Sequence, residues 1–130
     1  MLGSASLTPS VTKLMFAAMN AEMLKGHLDN ILLAALRAGP AHGYGLIEVL
    51  RQRSGGHFDL PEGTVYPALH RLELASLVES NWEQTANGRR RRVYSLTRKG
   101  SMSLDQRQSD WTKFAAAISH CLSEDKLCHN

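Results

Sequence analysis

Apolar residues recur at helical spacing in a succession of stretches along this chain, and the gaps between them are marked by Gly, Pro and Asn. Thr8 before Pro9 has the form of an N-cap with proline in the first turn, and Val11, Leu14, Met15 and Ala18 follow, predicting a helix near 9–20. Leu24, Leu28, Ile31, Leu32, Ala35 and Leu36 form a stronger stripe, predicting a helix near 22–38 that Gly39-Pro40 stops. After the AHGYG segment at 41–45, Leu46, Ile47, Val49 and Leu50 predict a third helix of two or three turns, ended by Gly55-Gly56. In the next helix, starting between 61 and 64, Val65, Ala68, Leu69 and Leu72 share one face. The other face carries Gly63, Thr64, Pro67, His70, Arg71 and Leu74. Pro67 removes a backbone bond if this helix begins at Pro61, and costs little if Thr64 is the N-cap.

The period then changes. Residues 78–84 and 90–96 alternate at period two around Asn87-Gly88, a strong hairpin signal. Thr97 is a further N-cap, opening a last helix from about 98 to 123. Along it Leu104, Gln108, Trp111, Ala115, Ile118 and Leu122 are spaced as a coiled-coil seam, which a chain this small cannot easily cover by itself. The order predicts a mainly α (α+β) winged helix-turn-helix with a β-hairpin wing, an N-terminal extra helix and a C-terminal dimerisation helix. Its expected parts are a helical extension over 1–21, the winged unit over 22–97, the dimerisation helix over 98–123 and a tail over 124–130.

Length and composition narrow the class. At 130 residues the chain has room for one domain, and 43% apolar with 21% charged residues is a globular balance. It lacks the run of about 18 apolar residues that crosses a bilayer, and residues 1–20 hold one cation behind a polar start, unlike a signal peptide. Two cysteines, Cys121 and Cys128, are too few for a disulfide framework. A cytoplasmic, reduced protein without a membrane partner is the expectation.

A formal net charge of +3 decides little, but its placement does. Residues 84–100 contain Arg89, Arg90, Arg91, Arg92, Arg98 and Lys99 and no acid. A solvated charge run is the plain reading, yet four consecutive arginines beside a tight turn repel one another unless they meet phosphate. Arg98 and Lys99 fall in the first turn of the last helix, where cations oppose the helix dipole, so an external anion is expected there rather than a capping role. Phosphate contact carries no sequence information, so base readout is assigned to a helix in the major groove. The helix from 61 to 75 is the candidate: Thr64 and Tyr66 offer hydroxyls to phosphate, and His70 and Arg71 reach for base edges or backbone. The competing roles are packing for Tyr66 and an ion pair with Glu73 or Glu62 for Arg71.

Three segments, HGYGL at 42–46, EGTVYPALHRLEL at 62–74 and GRRRRVYSLTRKG at 88–100, together resemble the signature of the PadR family of bacterial repressors, over roughly residues 22–122. The resemblance implies a homodimeric winged helix that represses transcription from near-palindromic operator DNA, is released by a small molecule or another signal, and needs no cofactor. It implies DNA contact by Tyr44, Thr64, Tyr66, Pro67, Arg89, Arg90 and Arg91; the outward helix face adds Gly63, His70 and Arg71, and the seam spacing gives a dimer interface of Leu104, Trp111, Ala115, Ile118 and Leu122. The short final helix is similar to that of the compact branch of the family. Ser76 stands where the family usually ends its recognition helix with glycine, so a different helix end is expected.

Trp111 is the candidate ligand-binding residue, since in multidrug-responsive relatives an equivalent ring faces its mate across the dimer axis and holds a flat aromatic compound. A small aromatic or phenolic effector follows, and packing within the seam is the competing role. His120, Cys121, Cys128 and His129 are metal-ligand types close in sequence, but their spacing fits no standard zinc motif. No general acid/base pair, activated nucleophile or phosphate-cradling loop is recognisable, so the chain reads as no enzyme. The rival classes are a winged-helix ligand sensor and a protein-interaction module without specific DNA binding, against which the basic wing argues.

Overall fold

The computed structural model describes Leu24 and residues 26–124. The predicted helix near 9–20, the bounds of the N-terminal extension and the pair Cys128 and His129 lie outside these residues.

Helix α1 spans Leu28–Arg37. It is shorter than the 22–38 predicted, because Gly26 takes a left-handed φ of 87° and the His27 amide donates back to the Leu24 carbonyl, which turns the chain before the helix starts. Leu24 is nevertheless buried in the core. Strand β1, Ala41–His42, lies in a stretch read from sequence as a connection, and helix α2 spans Gly43–Arg53. His42 caps α2 with its side chain, Nδ1 accepting from the Gly45 amide at 3.1 Å, so the HGYG segment is itself the helix start.

Helix α3 spans Glu62–Leu74 with Pro61 as N-cap, and the Val65 amide donates to the Pro61 carbonyl at 3.1 Å. Thr64 is therefore inside the helix rather than its cap. Pro67 lies beyond the first turn and lacks the N–H that would meet the carbonyl of Gly63, an exposed residue. At the other end Ser76 adopts φ 63°, the Ser76 amide donates to Glu73 and the Leu77 amide donates to Leu72. That is the termination glycine normally provides, so the departure at Ser76 changes the residue and not the helix end.

Strands β2, Val78–Gln84, and β3, Arg90–Leu96, form the hairpin, and β3 is central in an antiparallel sheet of order β1-β3-β2. The register pairs Val78 with Leu96, Ser80 with Tyr94, Trp82 with Arg92 and Gln84 with Arg90. Five residues, 85–89, connect the strands, and Thr85 and Arg89 close a three-residue loop, 86–88. The Gly88 amide donates to the Thr85 carbonyl, the Thr85 amide donates to Arg89, and Gly88 is left-handed at 82°. Asn87-Gly88 thus closes a longer loop with glycine in its last position, instead of forming a two-residue turn.

Helix α4 spans Arg98–Leu122. Thr97 caps it, its hydroxyl accepting from the Gly100 amide at 2.9 Å and donating to the Ser76 carbonyl at 2.7 Å, which joins the end of α3 to the start of α4. Gly100 sits so close over the Leu77 carbonyl that a Cβ would collide with it.

The core lies where α1, α2 and α3 meet the sheet and the first half of α4, around Leu32, Leu33, Leu46, Val65, Leu69, Leu72, Val78 and Leu104. Leu33 widens the predicted stripe of α1. Leu104 is only 1% exposed and packs within its own chain, which removes it from the predicted dimer interface. Gln108, the next seam position, accepts from the Arg37 guanidinium at 3.3 Å, and Arg37 also pairs with Asp105 at 2.7 Å. The seam divides here: its first two positions face α1, and those from Trp111 onward do not join the core.

Candidate nucleic-acid interface

Helix α3 buries Val65, Ala68, Leu69 and Leu72 and leaves Gly63, Thr64, Tyr66, Pro67, His70 and Arg71 exposed, the division its period predicts. Tyr66 is 38% exposed, and its ring lies where a Cβ on Gly43 would be, its hydroxyl 2.7 Å from that position. Packing and partial exposure are therefore combined in one side chain, whose ring is seated on the first residue of α2. Tyr44, in the first turn of α2, is 60% exposed. Arg71 is paired, but with Asp29 of α1 at 3.1 Å rather than with Glu62 or Glu73 as the sequence suggested, because α1 crosses α3 at that turn. His70, the residue before Arg71, is exposed.

Glu73, near the end of α3, accepts from the Ser80 hydroxyl at 2.6 Å and lies 3.7 Å from the Arg92 guanidinium. These contacts fasten the helix to the base of the hairpin. Farther out, Arg91 is paired across the strands with Glu83 at 3.0 Å, and Arg90 and Arg92 lie over the ring of Trp82 at 4.7 and 5.3 Å. Arg89 is exposed at the edge of the loop. Lys99 donates to the Ala75 carbonyl at 3.1 Å, the C-cap of α3. The cation opposing the dipole of α4 thus serves the negative end of α3, and the expectation of an external anion at Lys99 is replaced by a capping contact. Arg98 is exposed beside an open cavity of about 490 Å³ that Arg37, Pro40, Ser95 and Leu96 also line.

Beyond the core, α4 presents Trp111, Phe114, Ile118 and Leu122 as exposed apolar side chains, with Ala115 half-buried among them. Trp111 is 49% exposed, stands edge-on to His27 with ring centres 5.0 Å apart and is tilted against Phe114 at 6.1 Å. Phe114 was missed because it lies off the strict heptad positions, although it follows Trp111 by three residues and shares its side of the helix. Trp82 was missed for another reason: its partners come from the opposite strand, and only the hairpin register brings them together.

A model of the PadR-like family of transcriptional regulators matches residues 32–106, from α1 into the first half of α4. The chain belongs to this family. The match spans the helix-turn-helix, the wing and the Leu104 anchor, the parts whose geometry is described above. Solved structures agree: a PadR family transcription regulator from Clostridium difficile is 30% identical with a TM-score of 0.67, over 75% of this chain and all of that one. A PadR family regulator from Eggerthella lenta is 25% identical with a TM-score of 0.73, covering 89% of this chain and 99% of its own. A PadR-like regulator from Bacillus cereus is 27% identical with a TM-score of 0.70, covering 80% and 99%. The fold is thus the α+β winged helix-turn-helix expected of the family, and its members are DNA-binding transcriptional regulators, not enzymes. No helix among the described residues is long and apolar enough to cross a membrane, and no group of three or more potential metal ligands occurs among them.

Proposed function

We propose that the protein is a cytoplasmic, homodimeric repressor that binds near-palindromic operator DNA and is released by a small aromatic or phenolic molecule. The observation that carries this reading is the outward face of α3, where Gly63, Thr64, Tyr66, Pro67 and His70 stand exposed while the same helix is fastened through Glu73 to a wing of four arginines. In this reading α3 enters the major groove, Tyr44 and the hydroxyls of Thr64 and Tyr66 hold phosphate, His70 and Arg71 reach base edges or backbone, and the wing, with Arg89, Arg90 and Arg91, follows the backbone. Arg71 exchanges Asp29 for DNA on binding.

The second half of α4 supplies the dimer contact through Trp111, Ala115, Ile118 and Leu122, joined by Phe114, and Trp111 is the residue set to meet an aromatic effector. Its support is the exposed apolar row itself, since a patch of this kind on a small chain is normally a mark of association. Footprinting on the DNA upstream of its own gene tests the reading. Two protected half-sites about 10 bp apart, or a multiple of that, are expected from two recognition helices related by a two-fold axis. Protection of one asymmetric half-site by a monomer would sink it.

A further inference from the structure

The four arginines of the wing are equal in sequence and unequal in structure. Arg91 is engaged by Glu83, with Nε at 3.1 Å and Nη2 at 3.0 Å from the same carboxylate oxygen. Arg92 is engaged as well, its Nε donating to the Ser80 hydroxyl at 2.9 Å and its Nη2 lying 3.7 Å from Glu73. Arg90 differs from both. Among the described residues the contact found for its guanidinium is with the face of Trp82, at 4.7 Å from the ring centre.

The register explains the contact. Trp82 lies directly across from Arg92 and Gln84 across from Arg90, so Arg90 is the diagonal neighbour of Trp82 on the same sheet face. Nearer the base of the hairpin that face carries the buried Val78 and Tyr94, but at Trp82 it has left the core, and the indole is 55% exposed. An exposed tryptophan in a wing strand is not explained by packing. A guanidinium over an aromatic face is attracted by the ring quadrupole, and its N–H donors, which lie in its own plane, stay available. An arginine held by a carboxylate, in contrast, has part of its donors and of its charge already committed.

We propose that Trp82 is a positioning residue of the wing: its ring holds the Arg90 guanidinium in place with its donors unengaged, making Arg90, rather than Arg91, the arginine prepared for a phosphate. This rests on the reading that the wing follows the DNA backbone. Arg92, lying over the same ring and tied to Ser80 and Glu73, fixes the indole relative to α3, so the prepared arginine has a set distance from the recognition helix.

The test is a titration of a labelled duplex of arbitrary sequence at several salt concentrations. It uses the full chain and the variants Trp82→Ala, Trp82→Phe, Arg90→Ala, Arg91→Ala and the double variant Trp82→Ala with Arg90→Ala. Arg90→Ala is expected to lower the salt slope by about 0.9, the value of one lost phosphate contact. Trp82→Ala is expected to weaken binding about fivefold, the size of an exposed cation–π contact. The double variant should be no weaker than Arg90→Ala, because the ring acts through that arginine. Trp82→Phe, which keeps an aromatic face, should bind nearly as the natural chain does, and Arg91→Ala should lower the salt slope less than Arg90→Ala does, because part of the Arg91 guanidinium is committed to Glu83.

Multiplying losses in the double variant, an unchanged Trp82→Ala, or an Arg91→Ala as weak as Arg90→Ala would each overturn the assignment. If Trp82→Ala does not fold, Trp82→Leu takes its place against Trp82→Phe, with apolar volume kept and the π face removed. A natural chain that binds no duplex even at low salt would refute the DNA-binding reading and this proposal together. One that binds normally while the losses multiply would refute this proposal alone.

Discussion

Ser76 holds a left-handed φ of 63° at the end of α3, a conformation that costs an L-residue other than glycine or asparagine about 1 kcal/mol. Ser76→Gly is accordingly expected to raise stability by up to about 1 kcal/mol, partly offset by the greater freedom of glycine in the unfolded chain, and urea unfolding measures it. A loss of stability would mean that the serine contributes something the helix end does not account for. Tyr94 makes a different prediction. Burial, the largest cause, pushes its phenol above the ordinary value, and the neighbouring Arg92 opposes that rise only in part. The folded chain then holds this proton more tightly than the unfolded one. Its contribution is present below the ordinary tyrosine pKa of about 10 and is lost as pH rises from there through the raised folded value. Tyr94→Phe should flatten the alkaline fall in melting temperature. At the proposed DNA face, Thr64→Ala and Tyr66→Phe are each expected to weaken operator binding by about 1–2 kcal/mol through the loss of a charge-assisted bond. The Tyr66 change should leave the fold intact because the ring still covers Gly43. Unfolding of the Phe variant would show that the hydroxyl, not the ring, holds the position.

Among the elements, α3, the hairpin and α4 were legible because each has a strong local pattern: a single buried face, an alternating pair around Asn-Gly, and an N-cap before a long helix. What failed was where local pattern and tertiary contact compete. The apolar stripe from Leu24 to Leu36 is continuous in sequence, yet Gly26 turns the chain within it, and Leu24 still reaches the core from beyond the turn. β1 has two residues, too few to alternate, and exists because Ala41 and His42 pair with Tyr94 and Val93 of β3. Lys99 looked misplaced on its own helix because the partner that accounts for it, the Ala75 carbonyl, belongs to another.

For the whole molecule the sharpest expectation concerns the row from Trp111 to Leu122. Changing Ile118 and Leu122 to Asp places unpaired charges in the proposed interface at a cost of several kcal/mol, and should give monomers by sedimentation with the winged unit still folded. Specific operator affinity should fall in the same variant, because the two recognition helices no longer act together, although its wing is intact. A double Asp variant that remains dimeric would move the interface away from this face of α4 and Trp111 away from the dimer axis.

Sequence alone determined the order of the helices and the hairpin, the buried face of α3, the basic wing and the family, since each depends on residues that are neighbours along the chain or at helical spacing. Tertiary structure decided which of those residues are engaged. Leu104 and Trp111 occupy equivalent seam positions in one helix, but α1 packs over the first and leaves the second exposed. Arg90 and Arg91 are adjacent and chemically identical, but the pleat turns one to Trp82 and the other to Glu83. Periodicity states which side of an element a residue is on; only the placement of the neighbouring element states what that side meets.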